Sequence, residues 1–465
     1  MRPAYCPLLL LVASQAISAA GPGVEGDWHG SLQAGAIQLR LAMHISRAQD
    51  GALSGSLDSL DQNANGIPLS KVTLAGRLLT VEIKAVGATY SAELNETGSE
   101  LAGTFHQNGQ DLPLALSRGQ APERSRPQNP KKPYPYDEEE VAYENTKAGV
   151  RLAGTLTLPR SPGPHPAVLL VTGSGPQDRD EAIMGHRPFL VIADYLTRRN
   201  IAVLRVDDRG VGKSTGNFQA ATTSDFAADA RAGVNFLKTR KEIDPKRIGL
   251  IGHSEGGIIA PMLAAQDSEV AFVVMLAGSG VTGEEVLIEQ QYLLNRAMGM
   301  PEDAARKNNE TERFILQTVL QEKDDAAVER KIREGLPKFV EFLPEDQRTA
   351  AMENIGKQTK LLTSPWFREF LSYDPRPALE KLKVPVLAMN GALDLQVPPK
   401  QNLPAIASAL EAGGSPDYEI VKLPGLNHLF QTARTGAPSE YSGIEETISP
   451  TALKVMGDWI HRHVE

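Results

Sequence analysis

Ser254 stands in Gly252-His253-Ser254-Glu255-Gly256, a serine held between two glycines. The residues before it, Arg247-Ile248-Gly249-Leu250-Ile251, form an apolar, β-branched run that reads as a buried strand. Residues 258–265 read as an apolar helix. Strand, sharp turn and helix are the setting of a nucleophile elbow, in which the serine hydroxyl is lifted out of the sheet. The flanking glycines fit because a side chain there would clash with the tight reversal. Elsewhere, a Gly-x-Ser-x-Gly pattern is also met in ordinary glycine-rich loops.

A serine hydroxyl is a poor nucleophile at neutral pH, so it needs a base within hydrogen-bond reach and a third group to orient that base. In an elbow of this kind the partners follow in chain order, acid then histidine, in loops beyond later strands. Of nine histidines, His428 in Gly425-Leu426-Asn427-His428 alone occupies such a loop, past the strand-like run 418–423. Asp394, in Asn390-Gly391-Ala392-Leu393-Asp394, follows the run 384–389 and precedes Val397-Pro398. Taken singly, Asp394 would be a turn-capping residue and His428 a buried, hydrogen-bonded histidine. His461 and His463 fall on a closing helix and read as solvated, and His165 and His186 read as structural loop residues. The side chain of His253, next to the serine, is expected to point away from the site. An attacking serine also needs two backbone donors for the oxyanion. One is expected from the amide of Glu255. The other is expected from Thr172-Gly173-Ser174-Gly175-Pro176, with Ser174 the first choice and Gly175 the alternative.

Two charged segments resemble sites and are set aside. Gly210-Val211-Gly212-Lys213-Ser214-Thr215 ends like a phosphate-binding loop, but Asp207 stands where the full pattern needs glycine. Asp207-Asp208-Arg209-Gly210 reads instead as a loop whose charges pair locally, and Asp178-Arg179-Asp180 as a surface ion cluster. Metal-ligating residues are not clustered, so neither a metal nor another cofactor is implied.

Positioning these groups falls to strand-like runs at 167–171, 201–206, 270–276, 384–389 and 418–423, together with the one before Ser254. Helical stretches at 189–199, 226–238 and 453–464 alternate with them. The pattern predicts an α/β fold, a mostly parallel sheet with helices on both faces, over residues 141–465. A helical cap is expected over 283–380, from helix-forming stretches at 285–298, 310–320 and 326–343. Trp366, Phe367 and Phe370 near its end either wall a substrate pocket or pack cap on core.

The chain of 465 residues is too long for one core. Residues 21–118 alternate in short strands separated by turn signals such as Asp50-Gly51 and Asn65-Gly66, which predicts a small all-β barrel or sandwich. There Trp28, His44 and His106 are read as core or surface residues before a ligand mouth. This module is read as docking on the enzyme, pairing two subunits into an oligomer or binding a surface. Residues 119–140 read as a Pro-rich linker ending in a solvated charge run, Asp137-Glu138-Glu139-Glu140. Residues 1–20 read as a signal peptide, with Arg2 ahead of an apolar stretch and Ser18-Ala19-Ala20 as the cleavage region, implying a periplasmic or secreted protein. Cys6, the only cysteine, would leave with it. The net charge of −9 and the absence of a basic stripe argue against nucleic acid, and no later run is long enough for a stable membrane span.

The Gly-Ser-Gly-Pro loop, Asp-Asp-Arg-Gly-Val-Gly-Lys-Ser, Gly-His-Ser-Glu-Gly-Gly, the Asp394 loop and Gly-Leu-Asn-His together resemble the α/β-hydrolase superfamily. More narrowly they resemble bacterial serine carboxylesterases with an N-terminal β domain, a group often labelled dienelactone-hydrolase-like or S9-peptidase-like. The resemblance covers residues 141–465 well. It covers the β module more loosely, through Trp28, Asp61-Gln62 and Gly66-Ile67-Pro68. It implies hydrolysis of short-chain acyl esters, with water as second substrate and Ser254, Asp394 and His428 as the triad. Dienelactone hydrolases proper use cysteine, so that substrate is not expected. A peptidase of the prolyl-oligopeptidase type is disfavoured because the β module is too short for a propeller. A thioesterase or lactonase would use the same triad, and a non-enzymatic binding protein would not need it.

Overall fold

Apolar and polar residues alternate through the N-terminal unit, and the strands follow that period. The computed structural model describes residues 23–34, 37–60, 64–107, 109–122, 124–341 and 345–465. The expected signal peptide, with Arg2 and Cys6, lies outside them, as do Asp61 and Gln62. Two units divide between residues 123 and 124. The first carries β1 (Gly26–Ala34), β2 (Ile37–Arg47), β3 (Leu53–Ser59), β4 (Ala64–Pro68), β5 (Lys71–Ala75), β6 (Leu78–Ile83), β7 (Ala88–Leu94), β8 (Glu100–Gln107) and β9 (Gln110–Arg118). They form one antiparallel sheet in the order β4-β3-β2-β1-β9-β8-β7-β6-β5. Its two outer strands, β4 and β5, are joined only by Leu69-Ser70. Leu69 donates its amide to Gly55 O on one side and Ser70 donates to Glu82 O on the other, so the sheet must roll until its edges meet. On β7, Ala88, Tyr90, Ala92 and Leu94 face the core while Thr89, Ser91 and Glu93 face solvent. Trp28 is fully buried and donates its indole N–H to Val24 O. His44 lies between the Asp27 and Asp58 carboxylates, and His106 pairs with Asp111 at the surface, so the three candidate residues form no common mouth.

In the second unit the sheet runs β10 (Asp137–Asn145), β11 (Val150–Leu158), β13 (Ala202–Val206), β12 (His165–Val171), β14 (Ile243–His253), β15 (Val273–Leu276), β16 (Val386–Gly391), β17 (Tyr418–Leu423). From β13 onward all neighbours are parallel, whereas β10, β11 and β13 are antiparallel. The continuous apolar runs follow from burial on both faces. Along β12, Ala167, Leu169 and Val171 enter one core and Val168 and Leu170 the other. Helices α1 (Pro188–Thr197) and α11 (Pro450–Val464) cover one face. On the other lie α2 (Thr223–Lys238), α3 (Gly256–Ala264) and α10 (Pro399–Ala412). Between β15 and β16 come α4 (Gly283–Ala297), α5 (Glu302–Gln321), α6 (Asp325–Phe339), α7 (Glu345–Leu362), α8 (Pro365–Ser372) and α9 (Arg376–Leu379).

Two expectations are corrected. Asp137-Glu138-Glu139-Glu140 is not a charge run in a linker: it opens strand β10, where Glu139 pairs with Arg240 and Glu140 with Arg179 and Lys213. The segment before it is strapped to its own unit. The Arg126 guanidinium donates to Ile444 O and Met184 O at 2.8 Å, and Gln128 Nε2 donates to Ile448 O at 2.7 Å.

Candidate active site

Parallel strands leave their carboxyl ends along one rim, and the segments that follow β12, β14, β16 and β17 there carry Ser174, Ser254, Asp394 and His428. Ser254 follows β14 directly, with φ +54°. That left-handed conformation costs a non-glycine residue about 1–3 kcal/mol and persists only where the surroundings enforce it. Here Ser254 N–H donates to Leu276 O at 2.8 Å on the neighbouring strand. A Cβ on Gly252 would stand 1.9 Å from Gly256 O, and one on Gly256 would stand 2.1 Å from Val171 O. Neither glycine can be replaced without moving backbone.

Asp394 and His428 come from the loops after β16 and β17 and meet. His428 Nδ1 and Asp394 Oδ2 are 2.8 Å apart, with both side chains buried. The other carboxylate oxygen, Oδ1, accepts the amides of Gln396 at 2.8 Å and Val397 at 2.9 Å, which fixes the acid's orientation. His428 is held by its backbone: Asn427 Oδ1 accepts the amides of Leu429 and Gln431, pinning the turn around it.

The loop after β12 closes on the serine. A Cβ on Gly173 would lie 3.2 Å from Ser254 Cβ. Gly173 N–H is committed to Glu181 Oε1 at 2.7 Å. Ser174, Ser254 and Glu255 line one cavity of about 240 Å³. Its other walls include Val286 and Leu287 of α4 and Trp366, Phe367 and Phe370 of α8, so the cap aromatics wall a pocket. Trp366 and Phe370 stack at 5.7 Å.

Several charged groups do more than the sequence suggested. Glu255, expected only for its amide, buries its carboxylate and accepts from Trp366 Nε1 at 2.9 Å and Thr223 Oγ1 at 2.6 Å, tying α8 to the elbow. Burial pushes its pKa up. The Asp207–Arg209 charges do not pair locally. Asp207 bonds Arg179, Arg209 bonds Asp229, and Asp208 accepts from Thr172 Oγ1 and the Gln177 amide, holding both ends of the loop beside Ser254. Lys213 N–H donates to Asp207 Oδ2, so this loop amide is taken up by the carboxylate at position 207. Asp178-Arg179-Asp180 is likewise no surface cluster: Arg179 is only 14% exposed, and Asp180 pairs with buried Arg205. His253 also departs from expectation. Its ring does not turn away from the constellation but packs 4.9 Å from that of His428.

Burial, helped by the nearby Glu181 and Glu255 charges and opposed by its hydrogen bonds from Gln177 and Thr172, raises the Asp208 pKa from 3.8 to about 8. The folded state therefore binds this proton more tightly than the unfolded chain. The associated stability is full below about pH 4 and is lost as pH climbs to about 8. Asp208→Asn mimics the protonated acid, so its melting temperature relative to wild type should rise across that interval. A difference that stays constant from about pH 4 to 8 would remove Asp208 as the titrating group.

The sequence profile of the family described as Hydrolase_4, serine aminopeptidase S33, matches residues 187–432, a stretch that contains Ser254, Asp394 and His428. The chain belongs to this family. Its α/β-hydrolase fold and its place among the serine hydrolases follow from that membership. Esterase EstD of Thermotoga maritima is 28% identical over 291 residues, 62% of this chain and 61% of EstD, so the match spans less than two thirds of that relative. An uncharacterized 31.7 kDa protein of the traX-finO intergenic region of Escherichia coli is 27% identical over 58% of this chain and 86% of its own length. Among solved structures, the α/β hydrolase GrgF of a Penicillium species is 19% identical, with a TM-score of 0.44, over 71% of this chain and 99% of that one.

Proposed function

We propose that this S33-family protein is an exported serine carboxylesterase that hydrolyses short-chain, uncharged acyl esters through an acyl-enzyme on Ser254. The observation that carries the reading is the 2.8 Å contact between His428 Nδ1 and Asp394 Oδ2, beyond the strand ends that also present Ser254 on a cavity walled on one side by apolar cap residues. His428 Nε2 takes the Ser254 proton as Oγ attacks the ester carbonyl. The tetrahedral oxyanion is met by the amides of Glu255 and Ser174, with Gly175 as the alternative donor. Collapse expels the alcohol, which leaves with the proton from His428. Water then attacks the acyl-enzyme with His428 again as base, releasing the acid and Ser254. Asp394 holds the imidazole tautomer throughout.

The esterase label of EstD supports the ester reading. The family's aminopeptidase description favours a second one, hydrolysis of aminoacyl amides by the same groups. Val286, Leu287, Phe367 and Phe370 give the pocket an apolar wall, and the one carboxylate in its lining, Glu255, is taken up by Trp366 and Thr223, which supports the first. A p-nitrophenyl ester series from acetyl to octanoyl, run beside aminoacyl p-nitroanilides, decides between them. Esters should be turned over faster, with the optimum among the shorter chains. Faster cleavage of the anilides would replace the esterase reading. Export rests on the leader-like residues 1–20 and is checked by the N-terminal mass of the chain recovered from its native host, which should begin beyond residue 20.

A further inference from the structure

The proposed chemistry needs the oxyanion loop and the His428 loop in fixed register, yet they leave different strands whose ends, Val171 of β12 and Leu423 of β17, are 252 residues apart in the chain. We propose that Glu181 and His253 are positioning residues that lock these two loops together through one buried hydrogen-bonded chain. This rests on the roles proposed for Ser254 and His428.

The chain can be followed atom by atom. Gly173 N–H donates to Glu181 Oε1 at 2.7 Å. The same oxygen faces His253 Nδ1 at 2.9 Å. His253 Nε2 lies 3.1 Å from His428 O. A backbone carbonyl only accepts, so Nε2 carries a proton and donates it. A second proton is shared between Nδ1 and Oε1, so the pair is net neutral whichever atom holds it. The carboxylate's attraction opposes the burial that would strip this proton, and the His253 pKa is raised. The charged and titratable groups facing His253 are Glu181, His428 and, at longer range, Asp394.

Two features mark this as a constrained arrangement. Glu181 adopts φ +50°, a left-handed conformation that a β-carbon disfavours and that the surroundings must impose. Its second oxygen, Oε2, is buried with no partner among the described residues. Nothing is gained in packing by keeping a half-satisfied carboxylate there, whereas an apolar residue would leave both Gly173 N–H and His253 Nδ1 without a partner. Because His253 directly precedes Ser254, the chain also runs past the nucleophile.

The test compares His253→Phe, His253→Gln and Glu181→Gln with wild type. Each is assayed for kcat and KM on one short ester, for fluorophosphonate labelling of Ser254 and for melting temperature. Phenylalanine keeps the ring packing and loses both polar contacts. Its kcat and labelling rate, per mole of folded protein, should fall about 10²-fold with KM nearly unchanged, the scale on which a misplacement of about 1 Å costs rate. Glutamine at 253 restores a donor at the Nε2 level and should recover at least about tenfold of that loss. Glu181→Gln keeps an acceptor for Gly173 and should fall between. If the phenylalanine variant does not fold, the two glutamine variants carry the test, and wild-type kcat in both overturns the proposal. So does wild-type kcat in folded His253→Phe. A Ser254→Ala protein that turns over substrate within tenfold of wild type would instead bring down the underlying reading.

Discussion

Ser254→Ala should reduce kcat on a short p-nitrophenyl ester by about 10⁶, because nucleophile, base and acid act as one unit and losing the nucleophile forfeits the whole path. The fold should survive. The elbow is enforced by backbone, through Ser254 N–H to Leu276 O, and by glycines 252 and 256, whose positions no side chain could share. Alanine carries the same β-carbon into the same φ of +54°, so it adds no strain. The melting temperature should therefore stay close to wild type while fluorophosphonate labelling disappears. Residual catalysis over water should remain, since the oxyanion donors still bind substrate. Turnover within tenfold of wild type in rigorously purified protein would mean that another group attacks, and the assignment would fall.

What the sequence made legible, and what it hid, divides by range. The α/β strands were readable because burial on both faces leaves continuous apolar runs, as in Ala167-Val168-Leu169-Leu170-Val171. Ser254, Asp394 and His428 stood out because nucleophilic chemistry restricts residue type, and strand ends restrict position. Strand β10 was hidden because its first four residues, Asp137-Glu138-Glu139-Glu140, are all exposed, and a strand solvated on both faces loses its alternation. Helix α10, which contains Pro399 and Pro404, is not among the helical stretches named from the sequence. The supporting charges were misread for a different reason. Asp207 finds Arg179, Arg209 finds Asp229 and His253 finds Glu181, each across 20 residues or more, and no local pattern announces a partner at that distance. Asp207-Asp208-Arg209-Gly210 was visible as a motif, but what it supports, the loop from Thr172 to Gln177, became visible only with the fold.

Asp394→Asn should lower kcat by about 10⁴ with little change in KM. The reasoning turns on which nitrogen of His428 carries the proton. In the wild type, Nδ1 faces Asp394 Oδ2 at 2.8 Å, an acceptor, so the proton sits on Nδ1 and Nε2 is free to take the serine proton. Asparagine can keep its oxygen where Oδ1 now accepts the amides of Gln396 and Val397, and this places its NH₂ against Nδ1. Two donors cannot face each other, so the imidazole moves its proton to Nε2 and ceases to be a base toward Ser254. The loop keeps its bonds, so stability should hold. Asp394→Ala would instead orphan the buried Val397 amide and the part-buried Gln396 amide, and cost up to about 1–3 kcal/mol for each that finds no partner. The pair of variants thus separates a catalytic acid from a turn cap. A turn cap predicts near-normal kcat in the asparagine protein and a stability loss in the alanine one. A catalytic acid predicts that asparagine keeps the fold and loses the rate, and an asparagine variant within tenfold of wild-type kcat would leave His428 oriented by something other than Asp394.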